Sequence, residues 1–132
     1  RDDGARDLLF VATGTGIAPM RSMILAQLQR QPDRPVTLFW GLRSQRDLYW
    51  QDELATLAAS HPHFSFTTTL SRPDPGWQGV SGRVAALVEE RISSVRNLAV
   101  YLCGGNGMIK DVTATLNATG LCPIYREKYY DE

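Results

Sequence analysis

Five apolar, β-rich runs recur along the chain: LLFVA at 8–12, PVTLFW at 35–40, FSFTTTL at 64–70, LAVYLC at 98–103 and PIYREKY at 123–129. Leu8 to Ala12 and Leu98 to Cys103 are nearly continuous in hydrophobicity, the pattern of strands buried on both faces of a parallel sheet. Between the runs the apolar positions spread to helical spacing. Met20, Ile24 and Leu28 stand four apart within 17–30, and Met108, Val112 and Leu116 do the same within 107–119. Further helices are predicted over 45–60 and 82–92. Ser44 with Asp47 three positions on has the spacing of a capping box for the second helix, and Gly120 reads as a left-handed cap closing the fourth. The segment SRPDPGWQGVSGR at 71–83 is rich in Pro and Gly and reads as a long surface loop.

Regular alternation of strand and helix predicts an α/β fold: a three-layer domain with a five-stranded parallel sheet and helices on both faces. A length of 132 residues fits one domain, taken as 1–132. The 14 basic and 14 acidic side chains cancel, so no general field draws nucleic acid or an anionic membrane, and any bound anion needs a local site. No apolar run approaches the roughly 18 residues of a membrane span, and the opening RDDGARD lacks a signal-peptide core. Cys103 and Cys122 are too few for a disulfide framework. A reduced, cytoplasmic setting is expected. His61 and His63 flank Pro62 without a third ligand nearby, so they read as solvated loop residues and no metal site is expected.

The first strand runs directly into Thr13-Gly14-Thr15-Gly16-Ile17-Ala18-Pro19 and then a helix. Glycines there permit a tight turn and close backbone approach, bringing the free amides and positive end of the helix up to a pyrophosphate. Pro19 suits a first helical turn, where an amide is not needed. It also occupies the place where the general dinucleotide fingerprint has a third small residue. Alone, the segment could also be a turn that merely joins strand to helix, the weaker of the two readings. Asp47 could be offered as an acid reading a ribose hydroxyl, but its spacing after Ser44 favours capping.

Taken together, GTGIAPMRSM, FWGLRSQRDLYWQDEL, YLCGGNGM and the closing YREKYY resemble the ferredoxin-NADP reductase superfamily, and among its members bacterial oxygenase reductase components and flavin reductases. The resemblance extends from Leu8 to Tyr130 and covers the nucleotide module alone. It implies an NAD(P)H-dependent flavoprotein reductase in which this module presents nicotinamide to FAD or FMN. The flavin would be held by a barrel domain expected upstream, whose motif these residues lack. Electrons would then pass to an iron–sulfur or haem partner such as a ferredoxin or an oxygenase. The resemblance places Thr13, Gly14, Thr15, Gly16 and Pro19 at the pyrophosphate and nicotinamide ribose, and Cys103, Gly104, Gly105 and Met108 at the nicotinamide pocket. Cys103 would align the reacting carbons, and Glu127 and Tyr129 match an ending in which an aromatic ring covers the flavin beside an acid. A dinucleotide-binding regulatory domain without turnover is the alternative.

The coenzyme is open between NADH and NADPH, with a lean to NADPH. No acid follows the second strand until Asp47, whereas Arg43, Ser71, Arg72 and Arg83 align with residues around a 2′-phosphate in NADPH-dependent relatives, where guanidinium groups make charge-assisted bonds.

Overall fold

The computed structural model describes residues 6–129, with side chains to 127. Six strands and four α-helices follow in the order β1 Asp7–Thr13, α1 Ile17–Arg30, β2 Val36–Leu42, α2 Gln51–Ser60, β3 Phe64–Leu70, β4 Val80–Ser81, α3 Val84–Arg91, β5 Leu98–Gly105, α4 Asn106–Thr119 and β6 Ile124–Tyr129. All strand pairings are parallel, in the order β4-β3-β2-β1-β5-β6. The expected three-layer α/β architecture is therefore present, with six strands rather than five. The extra one, β4, is a two-residue strand inside the segment expected to be all loop; it pairs Thr69 with Val80 and Leu70 with Ser81. Two residues carry too little periodicity to be seen in a sequence.

Alternate side chains of the central strands divide the core in two. On one face Leu8, Phe10, Leu38 and Trp40 pack under α1 through Met20, Ile24 and Leu28, with Leu54 of α2. On the other, Leu9, Val11, Val100 and Leu102 pack under α3 and α4 through Leu87, Val88, Ile109, Val112 and Leu116. Strands this buried on both faces need no polar alternation, which is why β1 and β5 read as unbroken apolar runs.

Three local expectations change. The segment expected as one helix over 45–60 splits into a 3-10 turn at Gln45–Asp47 and then α2. The cap belongs to the turn: the Ser44 amide donates to the Asp47 carboxylate at 3.1 Å. The chain then passes Trp50 at φ 59° before α2 begins. The buried stripe of α4 starts at Ile109 rather than Met108, which is only partly buried. Gly120 is not left-handed, since its φ of 162° is extended. A β-carbon there would come within 2.9 Å of Val95 Cγ2, so a larger residue would need that side chain to shift.

Candidate functional site

β1 and β5 are neighbours in the sheet, and the connection leaving β1 runs to β2 while the one leaving β5 runs the other way to β6, so the strand order reverses between them. Open α/β sheets bind ligands at this reversal. Ala12 is in register with Cys103, which sets the turn after β1 directly beside the end of β5.

The two loops are cut to fit one another. A β-carbon on Gly16 would meet the Cys103 carbonyl oxygen at 2.2 Å, and one on Gly104 would meet Thr13 Oγ1 at 2.2 Å. Only hydrogen at both positions lets the backbones approach so closely. The Gly105 amide donates to Thr13 Oγ1 at 3.4 Å, tying β5 to the turn. Gly14 sits at φ 52°, the left-handed region that glycine enters at no steric cost. Its carbonyl accepts the Trp40 indole N–H at 3.0 Å. Residues 14–16 form a 3-10 turn running into α1 at Ile17, with Pro19 in the first helical turn.

A cleft of about 860 Å³ extends from this turn across the ends of β1, β2 and β3. That volume lies within the roughly 300–1,000 Å³ usual for small-molecule and cofactor sites. Thr13, Gly14 and Thr15 line one part, Arg43, Arg46, Asp47 and Tyr49 a second, Ser71, Arg72 and Asp74 a third, and Arg83, Gly107, Met108 and Asp111 the side formed by α3 and α4. The arms after β2 and β3 are zipped together: the Ser71 amide donates to Leu42 O at 2.9 Å and the Arg72 amide to Arg43 O at 2.8 Å. The Gln45 side chain bonds both backbone groups of Asp74, donating to its carbonyl at 2.9 Å and accepting from its amide at 2.8 Å. Arg83 faces Asp111 at 3.8 Å, both largely exposed, a separation at which the pair stabilises little.

Of the residues expected at a site, Thr13, Gly14, Thr15, Arg43, Ser71, Arg72, Arg83 and Met108 share this cleft. Gly16, Pro19, Cys103, Gly104 and Gly105 are not among the residues that line it. Cys103 is 2% exposed and packs in the core on the α1 side. Exposed Glu127 stands opposite Cys103 in β6, and Tyr129 opposite Gly105; the Tyr129 side chain lies outside the described residues. Arg46, Tyr49, Asp74 and Asp111 also line the cleft and were not among the expected residues. They follow no motif, although Arg46 and Tyr49 lie in the quoted FWGLRSQRDLYW segment. Burial raises the Tyr49 hydroxyl above the usual phenol range and likewise raises the Cys122 thiol, which nearby Arg6 partly offsets. His61 Nδ1 lies 3.1 Å from Leu57 O in its turn, and among the described residues no group of His, Cys, Asp and Glu could hold a metal. Among them, too, no helix is long and apolar enough to cross a membrane.

The donor set suits a dinucleotide: a glycine turn that brings backbone close to a ligand, the start of a helix behind it, and arginines at the far end of a continuous cleft. Comparison with known proteins agrees. The reductase component DmpP of phenol 2-monooxygenase from Pseudomonas sp. (strain CF600) is 37% identical over 98% of this chain and 38% of its own length. An NAD(P)H-flavin reductase of Aliivibrio fischeri is 32% identical over 79% of this chain and 44% of its length. The crystal structure of the Amycolatopsis cytochrome P450 reductase GcoB superposes with a TM-score of 0.87 at 31% identity, covering 96% of this chain and 38% of that one. The chain thus spans less than half the length of each of these proteins. Residues 10–114 match the family described as the oxidoreductase NAD-binding domain. The chain belongs to that family, the nucleotide-binding module of the ferredoxin-NADP reductase superfamily.

Proposed function

We propose that this module holds NAD(P)H along the cleft and presents its nicotinamide to a flavin carried by a separate domain of the same protein. The observation that carries the reading is the continuity of the cleft from the glycine turn at 14–16 to the arginine-bearing arms after β2 and β3. In this arrangement the backbone of Thr13 to Gly16 and the N-terminus of α1 bind the pyrophosphate, with Pro19 shaping the first turn. Arg43, Ser71, Arg72 and Arg83 surround the adenosine ribose. Gly104 and Gly105 let the nicotinamide end approach the close of β5, Met108 packs beside it, and Cys103 orients it from behind. Bound NAD(P)H supplies a hydride, and the chain's contribution is alignment and exclusion of water. Glu127 and Tyr129 close the site on the flavin side. The flavin, FAD or FMN, then passes electrons to an iron–sulfur or haem partner, and two cysteines, too few for a disulfide framework, fit a cytoplasmic setting.

NADPH is the favoured coenzyme. A 2′-phosphate is a dianion, and four arginines line the cleft against three aspartates, of which Asp47 is engaged with the Ser44 amide and Asp111 faces Arg83. Calorimetric titration of the chain with 2′-phospho-AMP and AMP tests this. The phosphorylated ligand is expected to bind more tightly, and the Arg72→Ala, Arg83→Ala double variant to lose about 1 to 3 kcal/mol for it alone, less than the roughly 3 to 6 of two charged hydrogen bonds at full strength because both side chains are exposed. Equal affinities in the wild type, or an equal loss for both ligands, would return the choice to NADH.

A further inference from the structure

We propose that Trp40 is a positioning residue for dinucleotide binding: its buried indole N–H holds the Gly14 carbonyl oxygen against the core and keeps that oxygen out of the cleft. The inference rests on the reading that residues 14–16 receive a pyrophosphate. Trp40 is 0% exposed and lies opposite Ala12 in the β1–β2 register, two residues before the turn it bonds. A tryptophan wholly inside a core needs a partner for its N–H, and here the partner is the first carbonyl of the glycine turn, at 3.0 Å.

The choice of partner matters because of what a glycine turn can do. A trans peptide carries its C=O and the following N–H on opposite edges, so rotating the 14–15 peptide exchanges the two directions. That rotation changes ψ of Gly14, which glycine tolerates, and φ of Thr15, which a β-branched residue resists making positive, so the indole bond reinforces a preference of the turn itself. In the rotated form the oxygen, with its partial negative charge, would face the cleft and repel a phosphate. The indole opposes that rotation, since turning the oxygen away would leave a buried donor without a partner. Tyr49 braces the indole from the cleft side, its ring meeting the Trp40 ring edge-on at 4.9 Å and 89°. A hydrophobic role in the core needs only an aromatic ring at position 40; the bond to Gly14 needs the N–H.

The test separates ring from donor. Trp40 is replaced by its isostere β-(3-benzothienyl)alanine, in which sulfur stands for the N–H, and separately by phenylalanine (Trp40→Phe). ADP-ribose and adenosine, which lacks the pyrophosphate, are titrated into each 132-residue chain by NMR. Loss of the donor is expected to weaken ADP-ribose about tenfold, the effect of one hydrogen bond near the upper end of its usual net value, and to leave adenosine within about twofold. Should Trp40→Phe fail to fold, the isostere carries the comparison. An isostere that binds ADP-ribose as the wild type does, or that weakens both ligands alike, would overturn the proposal while leaving the cleft reading in place. A wild-type chain that binds neither ligand would overturn both.

Discussion

Gly16 and Gly107 are both glycines of the site region, yet their surroundings assign them opposite roles. A β-carbon on Gly16 has the Cys103 carbonyl carbon at 2.8 Å as well as its oxygen at 2.2 Å, and neither atom belongs to a side chain that could swing away. Gly16→Ala is therefore expected to push the turn off the end of β5, lowering the melting temperature and abolishing measurable dinucleotide binding. Gly107, in the first turn of α4, has nothing within 4 Å, so Gly107→Ala should hold or slightly raise the melting temperature, alanine being about 1 kcal/mol the better helix former. Thermal melts of both variants by circular dichroism decide it, and an unperturbed Gly16→Ala would contradict the packing described. GTG was legible as a candidate phosphate turn because strand, glycines and helix follow in order. The reason for its second glycine was not legible, since the obstructing atom is a backbone oxygen 87 residues away in sequence, between positions 16 and 103.

At the scale of elements, periodicity located the helices well wherever one face is fully buried. α1 was expected at 17–30 and spans Ile17–Arg30, because Met20, Ile24 and Leu28 all enter the core. In α4 the fourfold spacing continued one turn too far: Met108 fits the stripe in sequence, but its Sδ–Cε end turns toward Gly104 and the cleft, where Cε would lie 2.9 Å from a β-carbon on Gly104. Methionine, unbranched and adaptable, serves either environment, so its type did not discriminate. The distinction is measurable in denaturant. Leu116→Ala, at 1% exposure, should cost about 2 to 5 kcal/mol, as large-to-small changes in a packed core do. Met108→Ala should cost clearly less, with its larger effect on ligand affinity; equal destabilisation would place Met108 in the core after all. The α2 segment misled for a different reason. Ser44 and Asp47 do form a cap, but what they cap is a single 3-10 turn, and the left-handed Trp50 that separates it from α2 is a conformation no tryptophan announces.

For the whole molecule, balanced charge and apolar strands interleaved with helices left a local site at the carboxyl edge of a parallel sheet as the place for an anionic ligand, and the cleft lies at that edge. The arms after β2 and β3 were legible only through resemblance, because their proximity depends on the β2–β3 register and the Gln45–Asp74 bonds rather than on any local pattern. The central claim is that one continuous cleft receives the dinucleotide, and titration of NADPH into the isotopically labelled chain tests it most directly. Saturable amide shifts are expected at Thr13 to Ile17, Arg43 to Asp47, Ser71 to Asp74 and Gly104 to Met108, with the opposite edge of the sheet, around Asp7, Val36, Phe64 and Leu98, unmoved. Absence of saturable shifts, or shifts centred on that opposite edge, would contradict the account.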